Sequence, residues 1–259
     1  MTASLKGNSD GSGAIQVGGV NAINISTSQI VSFANPLQTL SLTGPTITNL
    51  NLAAGTTALA PLDFVAGSLL TTPVAGAVEF DGNAFYTTND VTDGRGYIPS
   101  VHYFRLTSDG SAIGPAIANF FGATSGMALD AGIFYEFEAT LYLLKTTTAG
   151  VVFTFTFSNG PTNINAYYIY TDGGVGTAFS PRSAGLVKST ATASALPITS
   201  GLNTGVNYQV KINAMFQANA TTGGTLNLQI TSGSGTVTPL TGSYYQMTRL
   251  PATNTGAFV

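Results

Sequence analysis

Ile133-Phe134-Tyr135-Glu136-Phe137-Glu138-Ala139-Thr140-Leu141-Tyr142-Leu143-Leu144 is the stretch that decides the fold. Its odd positions are Ile133, Tyr135, Phe137, Ala139, Leu141 and Leu143, while Glu136, Glu138 and Thr140 fall on even ones. Side chains alternate sides along an extended chain, so a period of two makes one apolar face and one partly polar face. Working outward, the device recurs. Val151, Phe153, Phe155 and Phe157 interleave with Val152, Thr154, Thr156 and Ser158. Val206, Tyr208, Val210, Ile212, Ala214 and Phe216 are separated by Asn207, Gln209, Lys211, Asn213 and Met215, and Leu226, Leu228 and Ile230 by Asn227 and Gln229. With 101–106, 164–170, a weaker piece at 186–193 and 243–250, about eight strands are expected after residue 100. Half-buried antiparallel strands at that spacing predict a β-sandwich, and eight suit a jelly roll. No segment reads as a helix; 114–121 has room only for a turn or two.

Upstream the pattern changes. Between Asp10 and Asp63 there are 52 consecutive uncharged residues. Short alternating pieces follow one another there: Ala14-Ile15-Gln16-Val17, Ala22-Ile23-Asn24-Ile25-Ser26, 29–33, Leu40-Ser41-Leu42 and Thr46-Ile47-Thr48-Asn49-Leu50-Asn51-Leu52. Strands of about five residues cannot bury a face alone and need neighbours from a solenoid or from other chains. The competing reading is a flexible low-complexity linker. Residues 63–99 form a junction, in which Val78-Glu79-Phe80 is closed by an Asp81-Gly82 turn and returns through Ala84-Phe85-Tyr86 as a hairpin. The chain thus divides into a β stem at 1–62, a junction hairpin at 63–99 and an antiparallel head at 100–259. It is all-β throughout.

Composition excludes several functions. Eight Lys+Arg and 11 Asp+Glu amount to 7% charged residues, against about 25% in a typical domain. A net charge of −3 gives no basic field with which to displace counterions from phosphate, so no nucleic-acid partner is expected. There is no cysteine, hence no disulfide framework, thiolate metal site or cysteine nucleophile. Met1 to Asp10 lacks the pattern of a secretory signal, and no run of about 18 apolar residues is long enough to insert in a membrane. Synthesis and solubility in a cytosol are expected.

The candidates for chemistry are few. A Ser-His-Asp triad would have to use His102, the single histidine, which has no nucleophile elbow near it. Glu136 and Glu138 share one strand face, with Cα atoms about 6.6 Å apart from the strand rise; the pair could in principle serve a glycosidase, but a solvated face is the simpler reading. Glu79, Asp81, Asp90 and Asp93 match no calcium loop, and Gly173-Gly174-Val175-Gly176 is a turn without a nucleotide fingerprint. No catalytic residue, metal or cofactor is expected. Tyr167, Tyr168 and Tyr170 are candidate ligand contacts, because tyrosine offers a sugar both an apolar face and a polar tip.

Asn8-Ser9-Asp10-Gly11-Ser12-Gly13-Ala14-Ile15-Gln16-Val17-Gly18-Gly19, Ala22-Ile23-Asn24-Ile25-Ser26 and Val31-Ser32-Phe33-Ala34-Asn35 resemble stalks of fibre and appendage proteins of tailed bacteriophages. Leu70-Thr71-Thr72-Pro73-Val74-Ala75-Gly76-Ala77-Val78-Glu79-Phe80-Asp81-Gly82 resembles the stretch that precedes the head of such fibres. The portion after residue 100, ending in Gly242-Ser243-Tyr244-Tyr245, is similar in strand pattern to trimeric jelly-roll heads of the complement and tumour-necrosis-factor type. The resemblance implies a homotrimeric capsid fibre or decoration subunit, non-enzymatic, on the virion surface after synthesis in the host cytoplasm. It implies a stem that contacts other virion proteins of capsid or tail. The low charge fits, since on a threefold axis each charge meets its own copies. Ile15, Val17, Ile23, Ile25, Leu50, Leu52, Tyr244 and Tyr245 are the interface candidates. Tyr244 and Tyr245 must point to opposite faces, so one ring is expected in the core and the other against a neighbour. The runner-up is a receptor-binding tail-fibre tip that recognises host-surface glycan or protein; a bacterial adhesin or sheath subunit and a depolymerase follow.

Overall fold

The computed structural model describes residues 54–92, 94–172, 181–198 and 204–251, with 172 and 181–184 as backbone only. It also describes strand backbone at 3–7, 13–17, 20–25 and 31–33. No described residue is helical. The chain separates into two compact units, Met1–Leu62 and Asp63–Val259.

In the first unit β1 (Ala3–Gly7), β2 (Gly13–Val17), β3 (Val20–Ile25) and β4 (Val31–Phe33) pair in chain order as an antiparallel meander. Ile15 stands opposite Leu5 and Ile23, Ile23 opposite Phe33, Val17 opposite Ala3 and Val20, and Ile25 opposite Gly13 and Val31. Leu50 and Leu52, with the strands expected around them and at 40–42, lie outside the described residues.

The second unit begins with a small sheet of β5 (Val78–Phe80), β6 (Phe85–Thr87) and β7 (Gly96–Ile98), in that order. Its first turn is the Asp81-Gly82 turn. Gly82 has φ +91°, which a Cβ would strain, and Asp81 Oδ1 accepts the amides of Asn83 and Ala84 at 2.7 and 2.8 Å. Phe80 stacks on Phe85 at 4.5 Å, and Phe64 meets Phe85 edge-on at 5.5 Å.

The remaining strands are β8 (Ser100–Arg105), β9 (Ala118–Asn119), β10 (Met127–Leu129), β11 (Phe134–Lys145), β12 (Val151–Phe157), β13 (Asn163–Asp172), β14 (Pro181–Ser189), β15 (Ala193–Ile198), β16 (Asn207–Gln217), β17 (Gly224–Ser232), β18 (Val237–Pro239) and β19 (Tyr244–Arg249). They make a β-sandwich of two antiparallel sheets. The larger runs β14-β13-β16-β11-β19-β8, with β18 also on β11. The smaller runs β10-β17-β12-β15, with β9 also on β17. Four pairs are nested in the chain: β8 with β19, β10 with β17, β11 with β16 and β12 with β15. The chain changes sheet between each of these strands and the next, while β13 and β14 are a hairpin added to the outer side of β16.

Alternation explains the core. The odd residues of β11 and the even residues of β13 and β16 are buried, as are the odd ones of β12 and the even ones of β17. Rings interlock across the gap: Phe137 of the larger sheet meets Phe155 of the smaller edge-on at 5.1 Å, and Phe216 meets Phe157 at 5.3 Å. Arg249 ties the small hairpin sheet to the sandwich, donating to Asn83 Oδ1 at 2.9 Å and pairing with Asp130 at 2.6 Å.

One local expectation is corrected. The weak piece expected at 186–193 is the end of one strand and the start of another, β14 and β15, separated by residues 190–192. Just before that piece, Gly185 of β14 has no side chain and so leaves room for the Tyr168 ring directly opposite. Tyr168 lies over that gap and donates its hydroxyl to the Pro197 carbonyl. The 114–121 segment supplies β9 on β17 and ends in a turn in which the Gly122 amide donates to the Asn119 carbonyl at 3.3 Å.

Candidate functional site

The larger sheet has one face in the core and one in water, and the register sets out the wet face in rows. One row runs Leu186, Tyr167, Asn213, Glu138, Gln246, Tyr103 across six strands. The next runs Lys188, Asn165, Met215, Glu136, Thr248, Val101. Residues directly opposite in an antiparallel ladder project from the same side, so each row is a line of neighbouring side chains. This face is mixed: Val101, Tyr103, Phe134, Tyr167, Ile169, Leu186 and Met215 are all large, apolar or aromatic, and exposed. Scattered exposed apolar residues are ordinary, but seven on one sheet face are a surface property.

A shallow depression of about 310 Å³ opens where β11, β16 and β13 lie side by side. Glu136, Glu138, Asn165, Tyr167, Asn213 and Met215 line it. Glu138 accepts a hydrogen bond from Gln246 Nε2 at 2.7 Å. Glu136, Asn165 and Asn213 make no side-chain hydrogen bond to another described residue. The depression therefore presents two carboxylates, two amides and one aromatic ring, most of their hydrogen-bonding capacity facing water.

The three tyrosines of β13 separate by parity. Tyr167 is 47% exposed on the wet face, whereas Tyr168 and Tyr170 are buried among the core side chains. Only Tyr167 can meet a ligand. Asn165 lies two residues from Tyr167 on the same strand, whereas Asn213 and the two glutamates are distant in sequence and only strand pairing brings them to it. Alternation in each strand already marked them as outward; the order of the strands was the missing information.

At the last strand Tyr245 is the ring that enters the core. It stacks on Phe104 and Phe137 at 5.7 and 5.5 Å, meets Phe121 edge-on at 4.9 Å, and donates to the Ser125 carbonyl at 2.8 Å. Burial pushes its hydroxyl pKa up to about 12. As an interface candidate Tyr245 is corrected: its ring is enclosed within its own chain. Tyr244 lies on the wet face, stacked on Tyr103 at 5.5 Å, with Thr140 Oγ1 donating to its hydroxyl at 3.4 Å.

The remaining candidates fall apart as a catalytic set. His102 is exposed near the start of β8, opposite Met247, at a hollow lined by Met127 and Ser125 among others. Glu79 is taken up in a salt bridge to Arg95 at 2.6 Å, and it also accepts the Leu70 amide at 2.6 Å. The Arg95 guanidinium, and after it that amide, hold the Glu79 carboxyl below the usual carboxylate range. Asp81 caps its own turn and Asp90 accepts from Thr92, so each carboxylate serves a local loop. Asp93 and the 173–176 loop lie outside the described residues. Among the described residues no three His, Cys, Asp or Glu side chains gather as a metal would need.

One buried ionisable group went unnoticed in the sequence. Lys145 ends β11 at an odd, inward position and is 0% exposed. Its ammonium donates to Ser232 Oγ and, at 3.3 Å, to the Ser234 carbonyl. Burial lowers its pKa, and no carboxylate pairs with it among the described residues. Odd parity in the 133–145 stretch was the available signal.

No family model and no curated protein matches this chain. Among solved structures that match is a chain in the structure of infectious bursal disease virus Gt strain, at 9% identity and a TM-score of 0.18. The alignment covers 96% of this chain and spans 56% of that one. At that TM-score the likeness carries no argument.

Proposed function

We propose that this protein is a non-enzymatic structural component of a bacteriophage particle, a homotrimeric capsid fibre or decoration subunit whose jelly-roll head stands on the virion surface. The four nested strand pairs support the jelly-roll reading, because they are what one long hairpin makes when rolled into two sheets. Residues 1–62 serve as the stem that meets other virion proteins.

The observation that carries the reading is the stretch before the first hairpin. Leu59, Leu62, Val65, Leu70 and Val74 lie in chain without regular structure and are open to water, Val65 at 88%. An isolated chain has no reason to display five such residues within sixteen positions; copies of the same chain side by side would cover them. The near absence of charge upstream suits the same arrangement, since Asn, Ser and Thr bond across an axis without like-charge repulsion.

Light scattering of the full chain is expected to give three copies per particle, and a monomer at micromolar concentration would overturn the trimer. Gold-labelled antibody against the head, imaged on phage particles, is expected to decorate the capsid shell. The alternative, a receptor-binding tail-fibre tip, is favoured by one observation, the polar and aromatic depression on the wet face, and decoration confined to the tail would select it.

A further inference from the structure

We propose that the depression on the wet face of the larger sheet is a binding site for an uncharged oligosaccharide; this deepens the tail-tip reading and rests on it. The site is a grid of two rows by three strands. Glu138, Asn213 and Tyr167 form one row, and Glu136, Met215 and Asn165 the other. Strand spacing makes each row about 10 Å long, and the side-chain repeat sets the rows about 7 Å apart. That is the footprint of one pyranose ring with part of the next.

The chemistry of the grid selects the ligand. A pyranose has hydroxyls around its rim and C–H groups on its faces. Tyr167 offers a half-exposed ring for the C–H face. Carboxylates and amides in adjacent strands can share the protons and lone pairs of neighbouring hydroxyls, and Glu136, Asn165 and Asn213 are not committed to other described side chains. Met215, half exposed, stands as a pliable apolar side chain between Glu136 and Asn165. Two carboxylates on one strand, with no cation paired to either among the described residues, put negative charge inside the grid, while Lys188 and Lys211 stand outside it on the same face. A sugar acid, phosphate or sulfate is therefore disfavoured at the grid itself. A neutral sugar is favoured over an acidic one.

Flat apolar stickiness predicts something different. Leu186, 78% exposed, sits in the same row beyond Tyr167 but outside the depression. A sugar site depends on Tyr167 and Asn213 and is indifferent to Leu186; a non-specific apolar face depends on Leu186 and Tyr167 and is indifferent to Asn213.

The full chain, fluorescently labelled, is to be applied to an array of neutral bacterial polysaccharide fragments beside uronate- and sialate-bearing ones, with Tyr167→Ala, Asn213→Ala and Leu186→Ala in parallel. All three positions lie on the wet face, and thermal melts check that each variant folds. Binding to neutral fragments is expected, reduced about tenfold or more in Tyr167→Ala, where a stacking contact is lost, reduced also in Asn213→Ala, and unchanged in Leu186→Ala. Absence of neutral binding, preference for acidic fragments, or equal binding by Asn213→Ala overturns the site. Adsorption of the same proteins to a panel of bacterial cells separates the two levels. Cell adsorption that survives Tyr167→Ala leaves a tail tip standing without this site. Array binding by a protein that adsorbs to no cell leaves the site standing without the tail tip.

Discussion

Tyr244 and Tyr245 are adjacent, chemically identical and placed in opposite environments. Tyr245 contacts three aromatic rings and satisfies its hydroxyl on a backbone carbonyl; Tyr244 rests on Tyr103 at the surface. Tyr245→Ala is expected to cost about 3–5 kcal/mol, the usual range for deleting a core aromatic, and Tyr244→Ala less than about 1 kcal/mol. Thermal melts of the pair check this, and light scattering of Tyr244→Ala tests whether that ring also serves assembly. Lys145 is a different case, a buried charge held among the described residues by Ser232 and Ser234. Its folded pKa lies below the unfolded value of 10.5, so the unfolded chain binds more protons between the two and stability rises with pH across that window. Lys145→Met removes the buried ammonium while Ser232 Oγ can still donate to the Ser234 carbonyl at 2.5 Å. The variant is expected to match or exceed the parent in melting temperature at pH 7 and to lack the alkaline gain. A loss of several degrees at pH 7 would show that the ammonium holds the 232–234 turn together.

Among the elements, the junction depends most on a single ion pair. Arg95 reaches from just before β7 to Glu79 in β5 and to the Leu70 carbonyl, and Glu79 takes the Leu70 amide, so one carboxylate–guanidinium pair pins the approaching chain to the hairpin. A carboxyl with a lowered folded pKa contributes stability above its unfolded pKa of about 4.5, and that stability is lost as pH falls through the folded value. Hydrogen exchange at the Leu70 amide is expected to be slow at pH 7, to quicken selectively in acid as the pH falls through the lowered Glu79 pKa, after correction for intrinsic rates, and to be fast at pH 7 in Glu79→Gln. The β13–β14 hairpin has its own weak point in the contact between Gly185 and Tyr168. A Cβ at 185 would overlap the Tyr168 ring, so Gly185→Ala is expected to displace that ring from its Pro197 partner. The expected cost is about 1–3 kcal/mol, read from denaturant unfolding.

For the whole molecule, the two units differ in how much they can bury by themselves. Asp63–Val259 contains both sandwich sheets, the aromatic core between them and the Arg249 tie to the hairpin sheet. It is expected to unfold cooperatively as a fragment of its own. The four described strands of the first unit have three to six residues each in a single meander, and one sheet of that size is too small to enclose a core by itself. A fragment of residues 1–62 is expected to show no cooperative transition in calorimetry; a sharp melt from a monomer of it would remove the main physical reason for assembly through the stem.

The sequence by itself determined which residues face inward. Alternation in 133–144, 151–158, 206–217 and 226–230 is a property of each strand alone, because the Cβ direction reverses at every residue whatever the strand pairs with. It also settled the Asp81-Gly82 turn, where a carboxylate can accept amides two and three residues ahead and glycine can adopt a positive φ. Pairing was not legible. That β11 lies between β16 and β19, and that β13 and β14 extend the sheet beyond β16, depends on contacts between segments up to about a hundred residues apart. No local pattern encodes such a choice; the joint packing of all the inward faces into one core selects it. The same choice put Glu138, Asn213 and Tyr167 in one row and sent Tyr245 rather than Tyr244 into the core. Local geometry sets a side chain's face, but only the closed tertiary structure sets its neighbours.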